Sequence, residues 1–517
     1  MSVTRFSLAA AIWAATALMS GCAVGPDFTV PARPDVDRYT REPQPARTAA
    51  AGTAAGAAQH FAADRDIPGE WWTLFRSRGL NALIVHSLDA NPNLQSAIAA
   101  LRVAQENKLA QVGKFFPTVQ ANFTPTRQLT SQSLAPVLNS GENPFNLYTA
   151  QLMVSYTFDI WGQNRRAVEA LQALADVQRF QVEAAYLTLT SNVVVAAIQE
   201  ASLQGQIDAT NELIAINEKM LGTLRKQFDS GFINRSDLAA QEAALAQIKA
   251  TLPPLRKQLA VERDLLAALA GRFPGQEPIE TFRLAALHLP VEIPLSLPSR
   301  LVEQRPDVRA AEEQLHAAGA QIGVAIANML PNITLSASGG YTATELAGLF
   351  SPINKFWMIA GSATQTVFDG FSLLHQKRAA EATFQQAAWA YQATVIAAFQ
   401  NVADALRTLQ NDADALKAAG DFARAAKVSL DLAQQQFTAG NVNFIVLLNA
   451  QQTNQQARIA LVQAQANRLA DTAALFQALG GGWWNRGALV EQELDLTTMK
   501  AKPVEDKHDL LSTEHPQ

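Results

Sequence analysis

The sequence consists of two related halves, and this internal duplication limits the possible folds more than any other feature. Pro92 in "ANPNLQSAIAALRVAQ" corresponds to Pro306 in "QRPDVRAAEEQLHAAG", about 210 residues later. The two structural repeats are predicted at 70–271 and 299–482, joined by a linker at 272–298. The fold must therefore be built from two copies of one unit.

Two segments in each half alternate between apolar and polar residues. The predicted strands are 118–128 and 148–158 in the first half, and 333–343 and 357–367 in the second, where Gln365 breaks the alternation. A period of two over about ten residues is typical of a membrane barrel strand, with apolar side chains toward lipid and polar ones toward the lumen. A half-buried strand of a soluble sheet is the alternative.

Each pair of strands is followed by a long stretch without proline, which predicts very long helices at 163–230 and 371–439. At about 1.5 Å per residue, each would extend roughly 100 Å, more than a globular core requires. Returning helices are predicted at 234–270, where Pro253-Pro254 indicates a kink, and at 442–479. The last helix has a heptad seam, typical of a coiled coil, formed by Ile445, Leu448, Gln452, Gln455, Ile459, Val462, Ala466, Leu469, Ala473 and Phe476.

The N-terminus has the properties of a secretory signal peptide, predicted at 1–21. Arg5 precedes an apolar run, Phe6–Met19, that is too short to span a bilayer as a helix. Small residues then lead into Cys22, the only cysteine, in a pattern that resembles the lipobox of bacterial lipoproteins. The resemblance implies cleavage before Cys22 and a covalent lipid on its thiol, and Ala23 after it favours the outer membrane. A structural cysteine placed there by chance is the alternative.

Composition and motifs exclude several other classes. A formal charge of −5 with 17% charged residues gives no nucleic-acid signature. The seven histidines form no HExxH, and the sequence has no GxSxG, P-loop or paired-cysteine metal motif. "GGGWW" at 480–484 is interpreted as a helix stop with packing aromatic residues. The sequence predicts a protein that is not an enzyme, holds no metal and needs no cofactor other than the lipid on Cys22.

The four predicted strands of one chain are too few to form a membrane barrel alone. Beyond the signal peptide there is no run of 18 apolar residues, so any part that spans a membrane must be β-strand. Four strands cannot close a barrel, since the smallest membrane barrels have eight and open edges are prohibitive in lipid. The chain must therefore pool strands with other copies, giving eight in a dimer or twelve in a trimer.

The long helices would then continue below such a barrel as a tube, which makes a conduit across the periplasm. A trimeric structural protein or adhesin without conduction is the alternative. The segment 22–69, which is rich in Pro, Ala, Gly and Thr, is expected to be an acylated, extended tether. The fold class is therefore mixed and mainly α, a long coiled-coil α-barrel joined to a transmembrane β-barrel.

Three motifs add a family resemblance: "CAVGPDFTVP", "WWTLFRSRGLNALIVHSLDANPNL" and "LPSRLVEQRPDVRAAEEQLHAAGAQIGVAIANMLPNITLSASGG". The chain resembles the TolC/OprM superfamily over roughly 22–484, specifically the NodT-type outer-membrane lipoproteins of tripartite, RND-type efflux systems. The resemblance implies a homotrimer with a twelve-stranded β-barrel, a twelve-helix α-barrel and an equatorial domain. It also implies docking to a periplasmic adaptor and an inner-membrane pump. The tail, 483–517, is expected to be disordered or to wrap the equator.

The helix pairs turn at "FDSGFINRSDL" and "FTAGNVNFIVLLNAQQ", so Gly231 and Gly440 are predicted at the periplasmic tip. The resemblance implies that Asp237, after the first turn, is an aperture acid that some relatives use as a lock partner. An alternative role for Asp237 is to complete a helix cap begun by Asn234.

The second turn departs from the family pattern. The resemblance implies an acidic ring at the position of Asn449, within "LLNAQQ", where relatives have aspartate. Val446 and Gln452 are assigned to the same aperture. Val442 occupies the place of an arginine found in some relatives, so an ionic lock is not expected there. A solvated amide on a helix face is the alternative role for Asn449.

Overall fold

Two long helical hairpins and a four-stranded sheet form the framework of the protein, as a computed structural model shows. The structure describes residues 23–63, 65–131, 142–276, 280–295 and 298–487. The predicted signal peptide, Cys22 and the tail beyond residue 487 lie outside the described residues. The predicted class, mainly helical with four antiparallel strands and a duplicated unit, is confirmed.

The elements follow the order predicted for a duplicated unit. The strands are β1 His60–Ala63, β2 Thr118–Gln128, β3 Phe145–Phe158, β4 Glu292–Leu295, β5 Asn332–Ala343 and β6 Lys355–Thr364. The helices are α1 Arg78–Ala90, α2 Pro92–Val112, α3 Gln163–Asp229, α4 Arg235–Leu269, α5 Pro298–Gln304, α6 Pro306–Ala327, α7 Ser372–Thr438 and α8 Phe444–Ala478. Each half thus supplies two sheet strands, one very long helix and one returning helix.

The four-stranded sheet has the order β2-β3-β5-β6, and all its neighbours are antiparallel. Val154 lies opposite Val119 on one side and Ala337 on the other. On the opposite face, the hydroxyls of Thr149 and Thr342 lie 3.2 Å apart. The register therefore joins the alternating residues of the separate strands into one apolar and one polar face.

The last strand begins and ends earlier than predicted, at Lys355–Thr364 instead of 357–367. Its register places Ile359 opposite Ala337, on the apolar face. Gln365 lies outside the strand, and its Nε2 donates to the carbonyl oxygen of Met329 at 2.8 Å. The residue that breaks the alternation thus marks the end of the strand.

The two very long helices begin at aspartates that follow the strands. The backbone N–H groups of Asn164 and Arg165 donate to the carboxylate of Asp159, at 2.8 and 3.0 Å. In the second half, the N–H of Leu373 donates to Asp369 at 2.8 Å. A carboxylate at a helix N-terminus satisfies free N–H groups and interacts favourably with the helix dipole. This explains why an aspartate occurs at this position in both halves.

Helix α4 continues through Pro253 and Pro254, and the kink there stays a prediction. The seam of the other returning helix, α8, differs from its prediction near the tip. In α8 the predicted seam is buried from Ala466 onward. Nearer the tip, the buried residues are shifted by one position from the predicted seam, since Ile445 is 55% exposed and Phe444 is buried. The residues buried in that part of α8 are Phe444, Leu447, Ala450, Gln451, Asn454 and Ala457. Heptad spacing predicts a stripe of apolar residues along a helix. It does not determine which of two adjacent stripes packs against the other helices of the same chain.

The described part of the segment 22–69, which was expected to be an extended tether, packs against the rest of the chain at several points. Most of the segment lacks regular structure, as predicted, but β1 pairs in parallel with β4 of the linker. The buried guanidinium of Arg468 donates to the hydroxyl of Thr48 at 2.9 Å and to the carbonyl oxygen of Ala57 at 2.7 Å. Buried hydrogen bonds to residues distant in the sequence hold the segment in place, and composition does not reveal such contacts.

The segment "GGGWW" is a helix stop with packing aromatic residues, as predicted. Its three glycines all have positive φ angles. A Cβ on Gly482 would lie 2.5 Å from the carbonyl oxygen of Ile67, so only glycine fits there. The indole of Trp483 donates to the carbonyl oxygen of Gln304 at 2.7 Å. The C-terminal segment therefore closes against both the N-terminal region and the start of the second repeat.

The main core lies where the short N-terminal elements pack on the long helices. Trp71 and Phe75 are fully buried there, and Trp71 stacks on Phe476 with ring centroids 5.4 Å apart. Among the described helices, α3 also contains a stretch that is long and apolar enough to cross a membrane by composition alone. Because 67% of that stretch is buried inside the protein, packing accounts for its apolar character.

Candidate channel lining and helical tip

The polar face of the sheet continues into a cleft where the strands meet the helices. The cleft has a volume of about 740 Å³. Its polar lining includes Thr118, Ser155, Thr157, Asn332 and Thr364 from the strands, and Gln163, Asn164 and Asn328 from the adjoining helices. The charged side chains of Lys114 and Asp159 also line the cleft. Hydroxyl, amide and charged groups all interact readily with water. This side of the molecule can therefore line an aqueous path.

At the other end of the long helices, both hairpins turn at glycine. Gly231 and Gly440 each have φ of 76°, in the left-handed region. In the first turn, the N–H of Gly231 donates to the carbonyl oxygen of Phe228 at 2.9 Å, and that of Phe232 donates to Gln227 at 2.8 Å. The second turn repeats this pair of hydrogen bonds. This is the Schellman arrangement, which requires a residue tolerant of positive φ.

Asp237 lies in the first turn of α4 and is half-buried. Its backbone N–H donates to the carbonyl oxygen of Asn234 at 3.2 Å, but the Asn234 side chain makes no capping hydrogen bond. In the second hairpin, the side chain of Asn443 does cap α8, accepting from the N–H of Val446 at 3.2 Å. The alternative role of Asp237, completing an Asn234 cap, therefore lacks its asparagine partner.

The three aperture residues predicted on α8 do not share one environment. Val446 and Asn449 are exposed, and they lie one helical turn apart on the same side of α8. Gln452 is half-buried and lines a narrow groove between α8 and the first hairpin. Asn449 and Val446 are thus available to a central opening or to solvent, whereas Gln452 belongs to the packing between the hairpins.

Buried polar residues near the tip were missed by the sequence reasoning. Asn217 and Gln241 are fully buried between α3 and α4, where Gln241 Nε2 donates to Asn217 Oδ1 at 2.9 Å. In the second hairpin, Gln451 and Asn454 are buried in α8. Amides at positions that usually hold Leu or Ile weaken a helical seam. The heptad spacing of Gln451 and Asn454 relative to Phe444, on the same helix, is the signal that could have identified these two residues.

An ion pair joins the two hairpins between the tip and the core. Arg458 on α8 lies 2.6 Å from the carboxylate of Glu212 on α3. The hydrogen bond from Arg458 lowers the pKa of Glu212. Exposed ion pairs of this kind contribute little to stability. The contact between the hairpins therefore adds little to their stability. Within the described ranges, no group of three or more His, Cys, Asp or Glu side chains could hold a metal ion.

Comparison with known proteins agrees with this geometry. The family described as "Outer membrane efflux protein" matches residues 83–272 and 297–481, one match in each repeat. The pyoverdine export outer membrane protein OpmQ of Pseudomonas putida is 28% identical over 416 residues, covering 80% of this chain and 88% of the relative. Outer membrane protein OprJ of Pseudomonas aeruginosa is 26% identical over 499 residues, covering 95% and 98%.

A solved structure of the outer-membrane channel OprN aligns with a TM-score of 0.79 at 25% identity, covering 89% of this chain and all of that one. The predicted fold class of each chain, with long helices, four antiparallel strands and a repeated unit, and the predicted protein class, a channel and not an enzyme, are confirmed. The chain belongs to the outer membrane efflux protein family and is an outer membrane channel of efflux pumps.

Proposed function

We propose that three copies of the chain form one closed channel, the exit duct of a tripartite pump. This duct passes small molecules from an inner-membrane transporter and a periplasmic adaptor to the exterior. The observation that carries the proposal is the exposure of helix α7. All of residues 372–394 are described, and none of them is buried in the single chain. The first buried residue of the helix is Val395.

A helix of this length needs a partner for its apolar side chains. Trp389 is 71% exposed and Ile396 is 61% exposed, on the same side of α7 and two turns apart. Tertiary packing of an apolar face supplies most of the stability of a protein helix. A second copy of the chain is the partner that the strand count also requires.

The sheet supports the same assembly. Among the described strands, β2 and β6 each have a neighbour on one side only. Unpaired N–H and C=O groups at such edges are prohibitive in lipid. Pairing β6 of one copy with β2 of the next would close the ring, with the apolar face toward lipid and the polar face toward the lumen. Three copies, the number that the family resemblance implies, give a twelve-stranded barrel.

Two measurements on the purified protein test this proposal. We expect the detergent-solubilised protein to have three times the mass of the mature chain by light scattering, and to conduct ions in a planar bilayer. A stable monomer with native strand content would contradict the assembly. A trimer that never conducts would instead favour a structural protein or adhesin.

The first prediction concerns the lipid anchor, which we propose on Cys22. Cys22→Ala is expected to abolish metabolic labelling with palmitate completely, because the thiol is the acylated group. The sheet should still insert, since its apolar face does not depend on the anchor. Labelling followed by immunoprecipitation checks this, with the wild-type chain as the positive control. Normal labelling of the variant would remove the lipoprotein assignment.

The second prediction concerns the aperture. We propose that Asn449, Val446 and Asp237 surround the tip opening, with Gly231 and Gly440 at the turns. Asn449→Asp would place three carboxylates in one ring of a trimer. Because these attract divalent cations, millimolar Mg²⁺ on the periplasmic side should block the variant at a concentration about tenfold lower than the wild type.

Single-channel recording measures this block. The control is Asn467→Asp, which makes the same substitution at an exposed position of the same helix, about 27 Å farther from the tip. It should leave the blocking concentration unchanged. Equal block in the wild type and in Asn449→Asp would show that Asn449 does not line the opening.

A further inference from the structure

The first residues after the cysteine are held by one buried arginine of α3. Arg166, whose side chain is 5% exposed, donates from Nε to the carbonyl oxygen of Val24 at 3.1 Å. Its Nη2 donates to the carboxylate of Asp27 at 2.7 Å and to the carbonyl oxygen of Gly25 at 3.3 Å. A guanidinium has several donors in a fixed plane, so it can hold three acceptors of a peptide at once.

The backbones of the segment and the protein also touch. Gly25, with φ of +102°, packs on Gly323 of α6, where a Cβ on Gly323 would lie 2.7 Å from the carbonyl oxygen of Val24. A Cβ on Gly162 would lie 2.7 Å from Ala23. The N–H of Val24 donates to the carbonyl oxygen of Trp161 at 3.0 Å. Glycines at these close approaches make a groove that fits a peptide backbone.

An aromatic contact completes the site. The ring of Phe28 stacks on His316 of α6, with centroids 4.2 Å apart and an interplanar angle of 13°. The ring nitrogens of His316 face Glu169 at 3.1 Å and Glu313 at 3.3 Å, which fix the ring plane. Arg166 also pairs with Glu169, at 2.8 Å. The two side chains that contact the segment are thus tied to each other through one carboxylate.

We propose that Arg166, Gly323 and His316 form an intramolecular receptor for Val24–Phe28, and that this receptor fixes the acyl anchor beside the junction of sheet and helices. The anchoring part of this proposal rests on the proposed acylation of Cys22. Ala23 lies against Gly162, just after the end of β3 at Phe158. Because consecutive Cα atoms are only about 3.8 Å apart, a lipid on the preceding residue starts close to this level.

A docked anchor differs physically from a lipid on a free tether. Without the receptor, the chain between Cys22 and Thr48, the next residue held by Arg468, would be a flexible link that lets the lipid lie far from the sheet. Once the lipid has inserted, membrane contact by the sheet is an intramolecular step in either case. Docking shortens the link between them and so raises the effective concentration of the sheet at the membrane. The receptor therefore aligns the anchor with the strands of its own chain.

The test follows the mobility of the segment in the full chain. Val30→Cys introduces the one free thiol beside an acylated Cys22, and Val30 is 68% exposed, so a nitroxide label fits there. In the parent protein, the electron paramagnetic resonance spectrum should be dominated by the immobile component. Adding Gly323→Ala should make the mobile component dominant, because the new methyl group collides with Val24 and Arg166.

Gly319→Ala is the matched control, since it makes the same change one turn earlier on α6. Its Cβ would meet only Phe384, at an ordinary 3.5 Å, so the spectrum should remain immobile. Asp27→Ala is a second variant in case Gly323→Ala fails to fold. Its carboxylate is exposed, so the loss of this contact should increase mobility without affecting the core. A spectrum that stays immobile in both Gly323→Ala and Asp27→Ala would overturn the receptor.

Palmitate labelling separates the receptor from the anchor. Every receptor variant should keep the label on Cys22, because acylation precedes docking of the mature segment. If Cys22 proves unacylated, the anchoring role is wrong. The receptor itself is then tested by the same spectra in a Cys22→Ala background. An immobile component that disappears on adding Gly323→Ala would still establish the receptor.

Discussion

Replacing Trp389 and Ile396 together with glutamate is expected to abolish trimer assembly and, with it, all efflux. Trp389 lies in the part of α7 that buries nothing in its own chain, and Ile396, just beyond that part, is itself mostly exposed. In the proposed trimer they pack against the next copy, so each substitution would bury a charge without a partner. The effective penalty is several kcal/mol per ion, and it is repeated at each of three interfaces. Light scattering of the purified protein and the drug susceptibility of a complemented deletion strain measure the two effects.

The matched control keeps the same positions apolar. Trp389→Leu with Ile396→Leu removes the aromatic ring but adds no charge, so the trimer should form and efflux should be reduced at most modestly. The far-ultraviolet circular dichroism of the glutamate variant should remain mainly helical, since neither residue contributes to the core of the single chain. A trimeric glutamate variant with full efflux would contradict the assignment of this stripe to the interface.

The face on which each strand residue lies was the part of the fold most accessible from sequence. Alternation has a period of two. The pattern within one segment, such as 148–158, therefore predicts which of its residues share a face of the sheet, and no other segment is needed. The structure pairs Val154 with Val119 and Ala337 as this rule requires. The duplication then carried the assignment from one half to the other. Strand ends were less certain, because only a break such as Gln365 marks them.

Helix packing was less accessible, for a physical reason. The apolar residues of α8 form a broad stripe, and two overlapping heptad series fit it near the tip. The chain buries the series that contains Leu447 and Gln451, while Leu448 and Gln452 remain half-buried beside it. A choice between the two depends on neighbouring helices, and in the proposed trimer the second series would face another copy. A single sequence therefore does not predict which of the two heptad series is buried.

The docked N-terminal region was not predictable at all. Its composition is that of a flexible linker, yet Gln59 is fully buried and donates to Pro290 and Thr472, each at 3.0 Å. These contacts join residues more than 200 positions apart, and neither partner carries a local signal. The receptor for Val24–Phe28 has the same character, because Arg166 looks like any other helix arginine in the sequence.

Arg468→Met is expected to release this region and to destabilise the protein by about 1–3 kcal/mol, the usual cost of leaving buried acceptors without their partner. Arg468 is fully buried and holds both Thr48 and Ala57. Methionine has a similar length but no donor, so the two acceptors would lose these hydrogen bonds. Trypsin should then cut after the exposed Arg47 much faster than in the wild type.

The charge of Arg468 has a second role that makes this substitution costly. Burial lowers the pKa of Arg468, and the negative charge of Asp412 on α7 partly offsets that effect. Burial, together with the hydrogen bond and charge of Asp412, raises the pKa of Asp471 to about 7. Removing the guanidinium takes its positive charge away from Asp412. The core between α7 and α8 should therefore weaken together with the N-terminal region.

Arg458→Met is the matched control, because it makes the same substitution on the same helix. Arg458 is about one-third exposed and pairs with the exposed Glu212, so its loss should cost at most about 1 kcal/mol. Cleavage after Arg47 should remain slow in this variant, since Arg458 does not contact Thr48 or Ala57. Thermal unfolding and timed trypsin digestion measure both effects. Equal losses of stability in the two variants would mean that Arg468 acts only as another helix charge. A stability loss in Arg468→Met with cleavage unchanged would mean that Gln59 and the β1–β4 pairing hold the segment without it.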